Sequence, residues 1–169
     1  MEQVKTGDQN KEEIVITRTF NAPRDLVWKT WTEPERVKTW WGPKNYTCST
    51  AKVDLRVGGK YLFDMIAPEG KIYWSTGTYS EIDKPSRISS SDSFADDKGN
   101  IVDGTYYGMG ADFPRTLYIT VNFEEESQDR TKMTLRHTGF PPGEMLKMTT
   151  DGWNESLDKF ENVLKKSKN

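Results

Sequence analysis

PPGEMLKMTTDGWNESLDKFENVLKKSKN, residues 141–169, is the longest segment of the chain with a clean helical period. From Pro141 to about Lys166 the spacing predicts one helix. Wound at about 3.6 residues per turn, Met145, Leu146, Met148, Trp153, Leu157, Phe160, Val163 and Leu164 gather on one side. Glu144, Lys147, Asp151, Asn154, Glu155, Asp158, Glu161, Lys165 and Lys166 take the other. The apolar stripe is wider than the roughly 100° of a surface helix, so this helix needs a broad apolar surface to lie on. Pro142 and Glu144 suit a first turn. Gly152 interrupts the pattern beside Trp153 and should cost roughly 1 kcal/mol relative to Ala.

The rest of the chain supplies that surface. Ile14 to Phe20 (IVITRTF) is β-branched and aromatic and reads as a strand. Pro23-Arg24-Asp25 opens a short helix through Trp31, and Pro34 opens a second to about Trp40, ended by Gly42-Pro43. Strands are expected over Thr47 to Asp54, Lys60 to Ile66, Ile72 to Ile82, Arg87 to Phe94, Thr116 to Glu124 and Arg130 to His137. In Lys60–Ile66, Tyr61, Phe63 and Met65 share one face; in Thr116–Glu124, Leu117, Ile119, Val121 and Phe123 do. Gly77 marks a bulge or a close approach. Arg87–Phe94 is weak by propensity, with four serines in eight residues. Ala95 to Pro114 is irregular yet carries Tyr106, Tyr107, Met109 and Phe113, so it is not a wholly solvated loop.

Strands joined by short turns pair antiparallel, and only the last helix is long enough to cover the face they must bury. The expected fold is therefore α+β: a curved antiparallel β-sheet wrapped around a long C-terminal helix, with two short helices after the first strand. Residues 1–12 read as a flexible polar tail, and 13–166 as a single domain.

Composition narrows the function. The formal net charge is −2 and the basic residues are dispersed, apart from the Lys165-Lys166-Lys168 tail, so no nucleic-acid partner is expected. No apolar run is long enough for a membrane span, and MEQVKTGDQNKEE lacks the apolar region of a signal peptide. The single cysteine, Cys48, fits a reducing cytoplasmic setting. Six tryptophans with seven Tyr and seven Phe either fill a core or line a pocket.

Several motifs, in this order, resemble a known family. They are Trp40-Trp41-Gly42-Pro43, Asp54-Leu55-Arg56-Val57-Gly58-Gly59, Tyr106-Tyr107-Gly108-Met109, Leu135-Arg136-His137-Thr138-Gly139-Phe140 and Gly152-Trp153. The combination is similar to the activator of heat shock protein 90 ATPase homolog-like family of the START-like (SRPBCC) superfamily, over about Glu13 to Leu164. The resemblance implies a helix-grip fold with a cavity between the last helix and the sheet. It also implies a small hydrophobic ligand, lipid-like or aromatic and polyketide-like. The family name points to a chaperone partner and a stress response, and some relatives are polyketide cyclase-like enzymes.

The residues themselves carry no pattern of nucleophile and base. His137, the only histidine, shares strand parity with Met133 and Leu135 and reads as an inward, hydrogen-bonded structural histidine. One His and one Cys far apart make a poor metal set, and no cofactor is expected. Asp64 and Asp92 read as solvated. Val57-Gly58-Gly59-Lys60 is a turn, since no helix follows it to hold a phosphate. The cavity candidates are Trp40, Phe63, Trp74, Phe123, His137, Met148, Gly152, Trp153 and Phe160. Ser90, Thr149 and Ser156 would add the few polar contacts of a small-molecule pocket. The expected role is non-catalytic binding of a small hydrophobic molecule by a monomer or weak homodimer. The alternatives are a chaperone-type interaction module and a cyclase-like enzyme using His137 or a carboxylate inside the pocket.

Overall fold

Seven antiparallel strands form one sheet in the order β1-β7-β6-β5-β4-β3-β2. In this computed structural model, which describes residues 11–167, the chain runs β1 (Glu12–Phe20), α1 (Arg24–Thr32), α2 (Pro34–Val37), β2 (Ala51–Val53), β3 (Lys60–Ile66) and β4 (Ile72–Asp83). It continues through β5 (Arg87–Ala95), a 3₁₀ turn (Gly104–Tyr107), β6 (Leu117–Ser127), β7 (Arg130–Phe140) and α3 (Glu144–Ser167). The polar N-terminal tail, up to residue 10, and Lys168 lie outside the described residues.

Alternation gives the sheet one buried face. Ile14, Ile16 and Phe20 of β1, Leu117, Ile119, Val121 and Phe123 of β6, and Met133 and Leu135 of β7 enter the core. From its middle onward α3 closes over them, with Trp153, Leu157, Phe160 and Leu164 buried. Arg18 reaches from β1 to α3 and donates to Asp158 Oδ1 (2.8 Å) and to the Asn154 carbonyl (3.0 Å). α1 packs Val27 and Trp28 beneath the same core, with Trp28 edge-on to Phe123.

The differences from the expected elements have local causes. The helix begins at Glu144, because Gly143 adopts a φ of 125° that continues no helix. The second short helix ends at Val37, and Lys38–Trp40 form a turn. Of the strand expected over Thr47–Asp54 only Ala51–Val53 pairs continuously, with one bridge from Thr47 to Ile66. Between them the Asp64 carboxylate accepts the Ser49 and Thr50 amides at 2.8 and 3.0 Å and the Ser49 hydroxyl at 2.7 Å. Asp64 is thus almost wholly buried, and the solvated reading of it is corrected. The serine-rich strand lies in mid-sheet. Its hydroxyls serve neighbouring strands: Ser89 bonds Thr120, and Ser91 accepts the Thr78 amide.

Candidate functional site

The N-terminal half of α3 meets space where a core would be expected. A cavity of about 330 Å³ lies between it, the inner faces of β3–β5 and the segment 109–114. Rings and thioethers make most of its wall, including Trp41, Met65, Tyr73, Phe94, Phe113 and Met145. Met148, which the periodicity placed in the packed stripe, is 61 % exposed and stands at the rim. A second void of about 40 Å³ lies deeper, among Trp31, Trp40, Tyr61, Phe63 and Val121. Trp41 and Trp153 border both.

Trp153 is therefore a partition. Its ring lies parallel to Trp31 (11°, centroids 6.0 Å apart) and perpendicular to Trp41 (90°, 5.7 Å). Its Nε1–H donates to His137 Nδ1 at 3.0 Å. An indole N–H only donates, so this bond assigns the remaining hydrogen of the neutral imidazole to Nε2. His137 Nε2 lies 3.0 Å from Asp92 Oδ2, and the Tyr61 hydroxyl donates to Asp92 Oδ1 at 2.9 Å. Burial first, then the neighbouring Asp92 carboxylate and the hydrogen bond to it, push the Tyr61 phenol well above its usual range. It stays protonated and donates at neutral pH. Four elements, α3, β7, β5 and β3, thus contribute one residue each to a continuous polar network inside an aromatic shell.

Asp92 belongs to the cavity wall, and its solvated reading is corrected. The available signal was parity: Ile88, Ser90, Asp92 and Phe94 alternate along β5, and all of them border one void or the other. Of the cavity candidates, His137, Met148, Gly152 and Trp153 border the large cavity, and Trp40, Phe63 and Trp153 the small void. Three candidates fall elsewhere. Trp74 pairs with Asp64 on the other face of the sheet, because Tyr73 and Ser75 take the inward positions of β4. Phe123 and Phe160 are core residues, packed on Trp28 and Phe20 respectively. Trp40 and Trp41 both line the small void. Trp40 is buried and donates to the Thr30 carbonyl, while Trp41 follows the helical turn and packs on Phe63.

The loop after α2 is fastened to the underside of α3. Lys159 Nζ donates to the Pro43 and Tyr46 carbonyls at 3.2 and 3.1 Å, and the Lys44 amide donates to Glu155 Oε1. Burial lowers the Lys159 pKa. Gly152 faces this loop. A Cβ placed there would meet only Pro43 Cγ, at 3.4 Å, an ordinary contact. Gly152→Ala should thus raise stability by up to about 1 kcal/mol through helix propensity, read as a higher urea midpoint. A loss of stability would mean that Pro43 is wedged too tightly to yield.

The opposite loop is held by Tyr107, whose hydroxyl donates to the Ala95 carbonyl (2.5 Å) and accepts the Trp74 amide (3.1 Å). Cys48 is an inert thiol, its pKa pushed up to about 12, mainly by burial. Among the described residues, no group of three or more His, Cys, Asp or Glu could hold a metal ion. No helix there is long and apolar enough to cross a membrane.

A curved antiparallel sheet gripping a long C-terminal helix, with space left between them, defines the helix-grip class of START-like domains. Within it, the chain belongs to the Activator of Hsp90 ATPase homolog 1-like protein family, whose profile matches residues 21–165. A protein of Nitrosomonas europaea has a similar structure, with a TM-score of 0.73 at 24% identity over 98% of this chain and 99% of that one. One from Staphylococcus epidermidis gives 0.68 at 28% identity, over 98% and 93%. A member of the same family from Silicibacter pomeroyi gives 0.73 at 19% identity, over 92% and 99%. A comparison with curated proteins found no match.

Proposed function

We propose that this protein binds a small, mostly hydrophobic molecule in the cavity under α3, as a cytoplasmic single-domain binding protein spanning about residues 13–166. The observation that carries the reading is the cavity itself: about 330 Å³, within the range of small-molecule sites and lined chiefly by aromatic and methionine side chains. Methionine thioethers deform around ligands of varied shape. A thermal-shift screen of lipids and aromatic metabolites, followed by native mass spectrometry, tests it. A saturable rise in Tm with a one-to-one adduct is expected; a full screen without either result overturns the reading.

Family membership supports a second reading, a partner of the chaperone named by the family. Stimulation of purified Hsp90 ATPase by this protein would support it, and unchanged turnover at saturating protein would count against it. For the cyclase-like alternative, both nitrogens of His137 are engaged by protein groups, so neither is free to take a proton from a ligand, as a general base must. The carboxylate that alternative would use is Asp92, which lines the cavity.

A further inference from the structure

The polar network gives the cavity a chemical preference. Its direction is set at Trp153, which can only donate to His137, so that the His137 Nε2 hydrogen points at Asp92 Oδ2. Tyr61 presents its hydroxyl hydrogen to the other oxygen. Among the described residues, the side chains that bond Asp92 all offer it hydrogens. Each carboxylate oxygen has two lone pairs, so capacity for at least one further donor remains on each. The Asp92 side chain is 18 % exposed and forms part of the cavity wall. Its residual capacity is therefore offered inside an aromatic enclosure, where an unmatched polar group is costly.

We propose that the cavity selects ligands bearing a hydroxyl or amino donor on a two- to three-ring aromatic or similarly sized body, with Asp92 as the anchor. This rests on the reading that the cavity binds a small hydrophobic molecule. Its size agrees, since an engineered cavity of about 150 Å³ in another protein holds benzene and this one has about twice that space. A body of that size would meet lining side chains such as Trp41, Met65 and Phe113, with its donor turned to Asp92 on β5. A ligand presenting only acceptors, a carboxylate above all, would set lone pairs against lone pairs at Asp92. His137 and Tyr61 act as positioning residues, holding the carboxylate so that both oxygens accept.

The test is a matched set of probes, 2-naphthol, 2-methoxynaphthalene and 2-naphthoate, titrated into the intact protein by fluorescence and calorimetry. Wild-type protein should bind 2-naphthol roughly ten- to a hundredfold more tightly than 2-methoxynaphthalene, and 2-naphthoate least. Asp92→Asn presents an N–H in place of one acceptor and should bring the first two toward parity; Asp92→Ser, a smaller change, should do the same. Equal, saturable binding of 2-naphthol and 2-methoxynaphthalene by wild-type protein overturns the donor preference and leaves cavity binding intact. A naphthol preference that persists in a folded Asp92 variant moves the anchor elsewhere and also overturns it. Binding of none of the three overturns both readings. If neither variant folds, the wild-type comparison still decides the preference.

Discussion

Trp153→Ala should cost about 3–5 kcal/mol of folding stability, the usual range for emptying a buried tryptophan site, and should fall toward the top of it. Three losses coincide there. The indole is nearly buried and packs on Trp31 and Trp41. It also separates the voids of about 330 and 40 Å³, so its removal joins them and adds its own volume. Finally, His137 Nδ1 loses its donor and becomes a buried unpaired acceptor, an added penalty of about 1–3 kcal/mol. Urea unfolding with a matched Trp153→Phe variant separates these contributions. Phenylalanine retains most of the volume but no N–H, so it should lose only the smaller part. An alanine variant within about 1 kcal/mol of wild type would mean that α3 is not anchored here, and the fold's central contact would have to be placed elsewhere.

Gly77→Ala should be of similar size, about 3 kcal/mol or more, or should prevent folding. A Cβ on Gly77 would overlap the Ser91 backbone carbonyl and lie 2.5 Å from Tyr61 Cε2. The obstacle is the neighbouring strand's backbone, so a rotamer change cannot relieve it. The pairing of β4 with β5 would have to open beside the register shift at Tyr79/Glu81. That opening would displace Tyr61 and Asp92, which are hydrogen-bonded across the same place. Adding Tyr61→Leu should restore little, because the backbone overlap remains. If the double variant recovered wild-type stability, the clash would lie with the ring. Normal folding of Gly77→Ala alone would show that the two strands do not approach so closely. The contrast with Gly152→Ala is instructive: two glycines read from one sequence, one facing a fixed carbonyl and the other the edge of a proline ring.

Much of the fold was legible because it rests on local periodicity. The 3.6-residue stripe of α3, the alternation in β6, and the proline and glycine stops are properties of neighbouring residues. They survive without knowledge of what lies across the core. His137 was readable as inward and hydrogen-bonded by the same parity. Where side chains answered to distant partners, local patterns misled. The Asp64 carboxylate turned an expected strand into a capped loop by accepting amides 14 and 15 residues away. Asp92 read as solvated because its partners, Tyr61 and His137, lie 31 and 45 residues off. Only the register of β3 with β4, β4 with β5, β5 with β6, and β6 with β7 brings them together.

The sequence sufficed for the element order, the α+β class and the choice of α3 as the helix to be gripped. The tertiary structure alone decided that α3 is packed along its C-terminal half and overhangs a cavity along its N-terminal half, and that a carboxylate stands in that cavity's wall. Periodicity tells which side of an element avoids water, and that is set residue by residue. It does not tell how much volume remains between two such sides. That volume is a small difference between the curvature of a seven-stranded sheet, the reach of the loops at 43–46 and 109–114, and the bulk of side chains drawn from the whole chain.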